Sequence, residues 1–63
     1  MLDKIIRQKL TEKDMTQREL AEETGLTESI ISRYCHGTRN PRLYNVLKIA
    51  EVLDLTLDDL REN

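Results

Sequence analysis

Sixty-three residues with ten Lys and Arg against twelve Asp and Glu, a net charge of −2, leave room for one domain, residues 1–63, with one small core. No apolar run reaches the length of a membrane span or a signal peptide, so neither is expected. The lone cysteine, Cys35, excludes an internal disulfide and makes a zinc cluster implausible; with no catalytic spacing of His, Cys and carboxylates and little room for a pocket, an enzyme is not expected.

The chain opens on a helical pattern. Leu2, Ile6 and Leu10 recur every fourth residue and stack on one side of a first helix, flanked by Ile5. Lys4, Arg7 and Lys9 take the solvated remainder. Asp14 and Met15 form the connection, with Met15 closing the core. Beginning at Met1 with helix formers, the chain is expected to be a cytoplasmic product.

Thr16 followed three residues later by Glu19 is a capping box, in which each side chain satisfies a backbone N–H at a helix start. Leu20 and Ala21 give this second helix an apolar side. Gly25 marks a sharp turn that needs φ > 0, which glycine adopts without steric cost. Thr27 then caps a third helix, 27–36, that Gly37 ends. Two short helices joined by a glycine turn make a helix-turn-helix over residues 16–37. At about 100° per residue, Ile31, Tyr34 and Cys35 fall on one side of the third helix, and Ser29, Ser32, Arg33 and His36 on the other. Cys35 reads as a small buried hydrophobe rather than a redox thiol. His36 reads as a solvated or phosphate-facing ring, not a metal ligand.

Thr38 to Arg42 is a loop in which Asn40 is the expected cap and Pro41 the first turn of a fourth helix. Leu43, Val46, Leu47, Ala50 and Leu53 then give a three-and-four stripe that predicts the core face. Ile49 and Val52 lie off it, an excess of apolar surface of the kind that marks a partner contact. Asp54-Leu55 breaks the helix, and Thr56 caps a last one from Leu57 to Arg61, with Asp58 and Asp59 at its positive end. Of Leu55, Leu57 and Leu60, some are expected to close the core.

Charge divides along the chain. Residues 27–48 hold Arg33, Arg39, Arg42 and Lys48 against Glu28 alone, a surplus of three; residues 49–63 hold Glu51, Asp54, Asp58, Asp59 and Glu62 against Arg61, a deficit of four. A local basic patch is the footprint that matters for phosphate contact.

The run Thr16-Gln17-x-Glu19-Leu20-Ala21, then Gly25-x-Thr27, Ile31-Ser32-Arg33, Gly37-x-Arg39-Asn40-Pro41, Leu47-x-x-Ala50-x-x-Leu53 and Leu57-x-x-Leu60 resembles the Xre family. The resemblance covers nearly the whole chain. It implies an all-α, five-helix lambda-repressor-like fold and a sequence-specific regulator of double-stranded DNA, a repressor, without cofactor or metal. On that basis the third helix enters the major groove. Arg33 and Ser29 are the expected base readers, with Glu28 and Ser32 beside them. Gln17, Thr27, Thr38, Arg39, Asn40 and Arg42 are the expected phosphate contacts.

Four positions depart from the family. Its members commonly pair a buried arginine at the position of Leu10 with a glutamate at that of Cys35; here both are apolar, a coherent swap, because losing only one would strand a charge. Glu28 either accepts from cytosine N4 or merely favours the helix N-terminus through the dipole. Ile30, where a small polar residue is usual, is expected to pack beside Tyr34. The resemblance also implies a weak homodimer on a pseudo-palindromic operator, with half-sites roughly 34 Å apart, joined through Val52, Leu55 and Leu57. The alternative is a protein-interaction module on the same fold, such as the small partner of a toxin or of a larger regulator.

Overall fold

The computed structural model describes residues 2–60, apart from the side chains of Leu57 and Leu60. It contains helices α1 (Leu2–Glu12), α2 (Gln17–Thr24), α3 (Glu28–His36), α4 (Leu43–Leu53) and α5 (Leu57–Leu60). Four are of eight residues or more and the fifth is a single turn, so the described residues are all-α. The expectations placed on the side chains of Leu57 and Leu60, and on Arg61, lie outside the described residues.

Local chemistry sets the helix ends. The Thr16 side chain accepts from the Glu19 N–H at 3.0 Å while Glu19 accepts from the Thr16 N–H at 2.9 Å. Gly25 (φ 76) and Gly37 (φ 69) close α2 and α3 in the left-handed region. Thr56 and Asp59 repeat the reciprocal cap at the start of α5, at 2.9 and 3.1 Å.

The core gathers Ile6 and Leu10 from α1, Leu20 and Ala21 from α2, Ile31, Tyr34 and Cys35 from α3, and Ile49 and Leu53 from α4. Leu2, Met15, Leu26, Ile30, Val52 and Leu55 pack around it. α3 is held by both α1 and α2, whereas α4 leans mainly on α2.

Two expectations about α4 are corrected. Asn40 does not cap it, nor does Pro41 begin it: the N-cap is Arg42, in extended conformation and without a side-chain cap, so the helix starts at Leu43. The face is also rotated. Ile49 and Leu53 are fully buried, while Leu43 is 73% and Leu47 57% exposed. The inward row runs through 45, 49 and 53, and its first member is polar. Asn45 donates to the Tyr34 hydroxyl at 2.9 Å, and that polar position hides the true row from an apolar count. Val52 and Leu55 are half-buried against the core.

Asp54 and Asp59 are tied back to α1 and to the residue that follows it. Lys13 pairs with Asp54 at 3.0 Å and Lys9 approaches Asp59 at 3.9 Å. Asp59 also accepts the Thr56 backbone N–H, and that bond, more than Lys9, holds its carboxyl below the ordinary aspartate range.

Candidate nucleic-acid interface

The turn between α2 and α3 is built from Thr24 outward. Its buried hydroxyl donates back to the Leu20 carbonyl at 2.7 Å and accepts from the Leu26 N–H at 3.4 Å. Gly25 then reverses the chain, and Thr27 accepts from the Ile30 N–H at 3.2 Å to start α3. From the far side, Lys48 of α4 donates to the Thr24 carbonyl at 3.3 Å. Its ammonium lies 5.0 Å from the centre of the Tyr44 ring. Lys48, part of the basic surplus counted along the sequence, therefore serves the C-terminal end of α2.

α3 is divided by burial. Ile31 and Cys35 have no exposed surface and Tyr34 has 3%. On the opposite side Glu28, Ser29 and Arg33 are exposed and Ser32 is half-buried. Four of the expected DNA-reading side chains thus share one helix, its other side being docked. His36, in the last turn, is exposed too; its Nδ1–H donates to the Ser32 carbonyl at 2.7 Å, which leaves Nε2 available to a ligand. Burial pushes the Cys35 thiol up, and the nearby Arg7 charge offsets this in part, so the thiol stays protonated and acts as a hydrophobe.

The end of α3 is closed by main-chain bonds. Gly37 N–H donates to the Tyr34 carbonyl at 3.3 Å and Thr38 N–H to the Arg33 carbonyl at 3.1 Å. The Thr38 hydroxyl takes the same Arg33 carbonyl at 3.3 Å. Arg39, Asn40 and Arg42 follow, all exposed. His36, Arg39 and Asn40 line one groove of about 240 Å³ with Tyr34, Gly37 and Pro41, and Leu2 and Asp3 form its α1 wall. Gln17 stands apart at the start of α2, half-buried, in a wider cleft of about 470 Å³ with Thr16, Thr11 and Arg7. Thr27 is the α3 cap and is exposed.

Arg7 is the residue whose role the sequence did not disclose. It reaches from α1 to donate to the Cys35 main-chain carbonyl and pairs with Asp3 at 3.3 Å. Asp3 lies so close to the end of α3 that a Cβ on Gly37 would meet its Oδ2 at 3.1 Å. This clamp ties α1 to α3 in the region where the family's buried pair is missing. Leu10 and Cys35 both lie in the core cluster instead. The signal was there in outline: a cation three residues before an apolar position where the family carries one.

Among the described residues no three His, Cys, Asp or Glu side chains gather to hold a metal ion, and no helix is long and apolar enough to cross a membrane. The interface is one of guanidinium, hydroxyl, amide and imidazole groups arranged around an exposed helix. Such groups donate to phosphate oxygens and to base edges.

Comparison with known proteins agrees with this geometry. The family model described as helix-turn-helix matches residues 6–60. An uncharacterized HTH-type transcriptional regulator of Sinorhizobium fredii is 44% identical over 43 residues, which is 68% of this chain and 22% of that protein. The chain thus corresponds to about a fifth of that relative. No solved structure matches the chain.

Proposed function

Because this chain belongs to the Xre/Cro-like helix-turn-helix family, we propose that it is a sequence-specific transcriptional regulator, a repressor, that reads the DNA major groove with α3. The observation that carries this reading is the division of α3 into a fully docked apolar side and an exposed side of Glu28, Ser29 and Arg33. A recognition helix needs both halves: rigid attachment behind and donors in front. Arg33 and Ser29 read bases, with Ser32 beside them. Glu28 accepts from a cytosine amine, its charge disfavouring any phosphate role. Gln17 and Thr27 hold phosphates at two helix starts. Thr38, Arg39, Asn40 and Arg42 hold them after α3.

In this reading residues 1–63 act as one DNA-binding domain in the cytoplasm. It is a binding module and not a catalyst. One module offers few phosphate contacts, so two copies occupy a pseudo-palindromic operator. Selection of bound duplexes from a random pool, followed by a salt titration, tests it. A recurring half-site and a falling log–log salt slope are expected from counterion release. Absence of any DNA binding at low salt would end this reading. It would favour the second one, a protein-interaction module, for which the exposed Leu43, Tyr44 and Leu47 are the supporting observation.

A further inference from the structure

His36 is the only histidine of the sequence, and it stands outside both the base readers and the phosphate contacts named for α3 and its loop. It is exposed, in the last turn of α3. At about 100° per residue, positions 29, 32, 33 and 36 fall within a sector of roughly 100°, so the ring shares the side that carries the base readers. A recognition helix turns its N-terminal residues to base edges, which leaves its last turn nearer the sugar-phosphate strand. The surroundings of His36 agree with that placement. The ring lines the groove of about 240 Å³ together with Arg39 and Asn40, both of them phosphate contacts in the proposed function.

The hydrogen bond the ring already makes decides what else it can bind. Nδ1 lies 2.7 Å from the Ser32 main-chain carbonyl, which only accepts, so Nδ1 carries a hydrogen. In the neutral ring Nε2 then has a lone pair and no hydrogen. A phosphate oxygen also brings only lone pairs, so the two repel. Protonated at Nε2, the same ring donates there and sets a positive charge against the oxygen. We propose that His36 is a further phosphate ligand and binds as the imidazolium, a proposal that rests on α3 being a recognition helix. Duplex binding then takes up a proton: an N–H bond forms at Nε2, the proton comes from the solvent, and nothing in the DNA is broken. The charges that face the ring oppose one another. On α1, Asp3 lines the groove and favours the cation, and Arg7 pairs with Asp3 at 3.3 Å. Arg33 on α3 and Arg39 in the loop disfavour it while no anion is present. Tyr34, whose hydroxyl accepts from Asn45, is the other titratable group of the wall. A phosphate entering among these cations reverses the balance at the ring, and its charge draws the proton in.

Competition binding of the full chain to a duplex with one selected half-site, at constant salt and at about pH 6 and about pH 8, tests this against His36→Gln. The parent should bind about three- to sixfold tighter at the lower pH. The gain is complete where the free ring is already charged, and is lost as pH rises through the range in which the bound ring gives up its proton. His36→Gln keeps an uncharged amide donor at an exposed position, so folding should be retained by circular dichroism. Its affinity should differ by less than about twofold between the two conditions, because histidine is the side chain that ordinarily changes charge there. At the lower pH the log–log salt slope of the parent should be steeper than that of the variant by about 0.9, one phosphate. The loss from His36→Gln should be the same on every single-base variant of the half-site. Equal affinity of the parent at both pH values would overturn the contact, and so would a pH effect that His36→Gln retains. Tighter binding at the higher pH would overturn it in favour of a neutral Nε2 that accepts from a base amine. A pH effect confined to duplexes with guanine at one position would overturn it in favour of a base edge. A parent that binds no duplex at either pH ends the reading of α3 and this contact together, whereas pH-independent binding ends the contact alone.

Discussion

α3 and α4 carry similar apolar spacing and use it in opposite ways. α3 is pressed between α1 and α2, so Ile31, Tyr34 and Cys35 all lose nearly all their surface and only its polar side meets solvent. α4 leans mainly on α2, buries Ile49 and Leu53, and leaves three large hydrophobics outside. Of the two, α3 has its large apolar side chains at 31 and 34 covered, and α4 has apolar surface to spare. Periodicity along a helix therefore announces that an apolar side exists; whether that side is covered depends on how many neighbours reach it.

The comparison can be broken or sharpened by substitution, beginning with the largest expected effect. Leu10→Arg should destabilise by about 3–5 kcal/mol, since it places an unpaired charge in the core. Adding Cys35→Glu should recover much of that. Purely additive losses in a double-mutant cycle read by urea unfolding would show that the two positions are not in contact.

Ile31→Ala should cost about 2–5 kcal/mol, because its side chain is fully buried and leaves a cavity. Leu47→Ala, at the outer side of α4, should change stability by no more than about 0.5 kcal/mol. Equal costs would mean that the α4 outer face is covered in the free chain. Arg33→Ala should lose about 1–3 kcal/mol on the selected operator and relax preference at one base pair. A uniform loss on every duplex, measured by competition binding, would reassign Arg33 to phosphate.

The smallest expected effect is a pH dependence at the start of α5. The Asp59 carboxyl is held below its ordinary value chiefly by the Thr56 backbone N–H. Its stabilising contribution is therefore complete above about pH 4, where an unfolded aspartate is ionised, and fades as pH falls further. Asp59→Asn should remove that part of the acid sensitivity, leaving a shallower loss of melting temperature below about pH 4. An unchanged acid profile would show that Asp59 adds nothing to it.

What could be read from the sequence was what depends on near neighbours. Thr16 with Glu19, Gly25, Thr27 and Gly37 state their conformations within three or four residues, and each is found as expected. The two sides of α3 followed from spacing alone, because no polar residue interrupts its buried row. α4 resisted for two reasons. Its N-cap, Arg42, makes no side-chain bond. Its inward row begins with Asn45, whose partner Tyr34 lies on another helix. Arg7 resisted because its partner is a main-chain carbonyl 28 residues away, which leaves no mark in a residue type.

One consequence follows from where the cations lie. Lys9, Lys13 and Lys48 are each engaged within the chain, with Asp59, Asp54 and the Thr24 carbonyl respectively. The cations on α3 and in the loop after it are Arg33, Arg39 and Arg42. These three amines brace the scaffold, as the Arg7 guanidinium does between α1 and α3, while the guanidiniums of Arg33, Arg39 and Arg42 are exposed. Acylation of amines would strip charge from the contacts that brace the helices and leave the outward cations intact. A chain so treated would lose these bracing contacts and the charge of Lys48, while Arg33, Arg39 and Arg42 kept theirs. Guanidiniums also remain charged at any pH the fold survives, so the attraction toward a polyanion persists across conditions that would discharge amines.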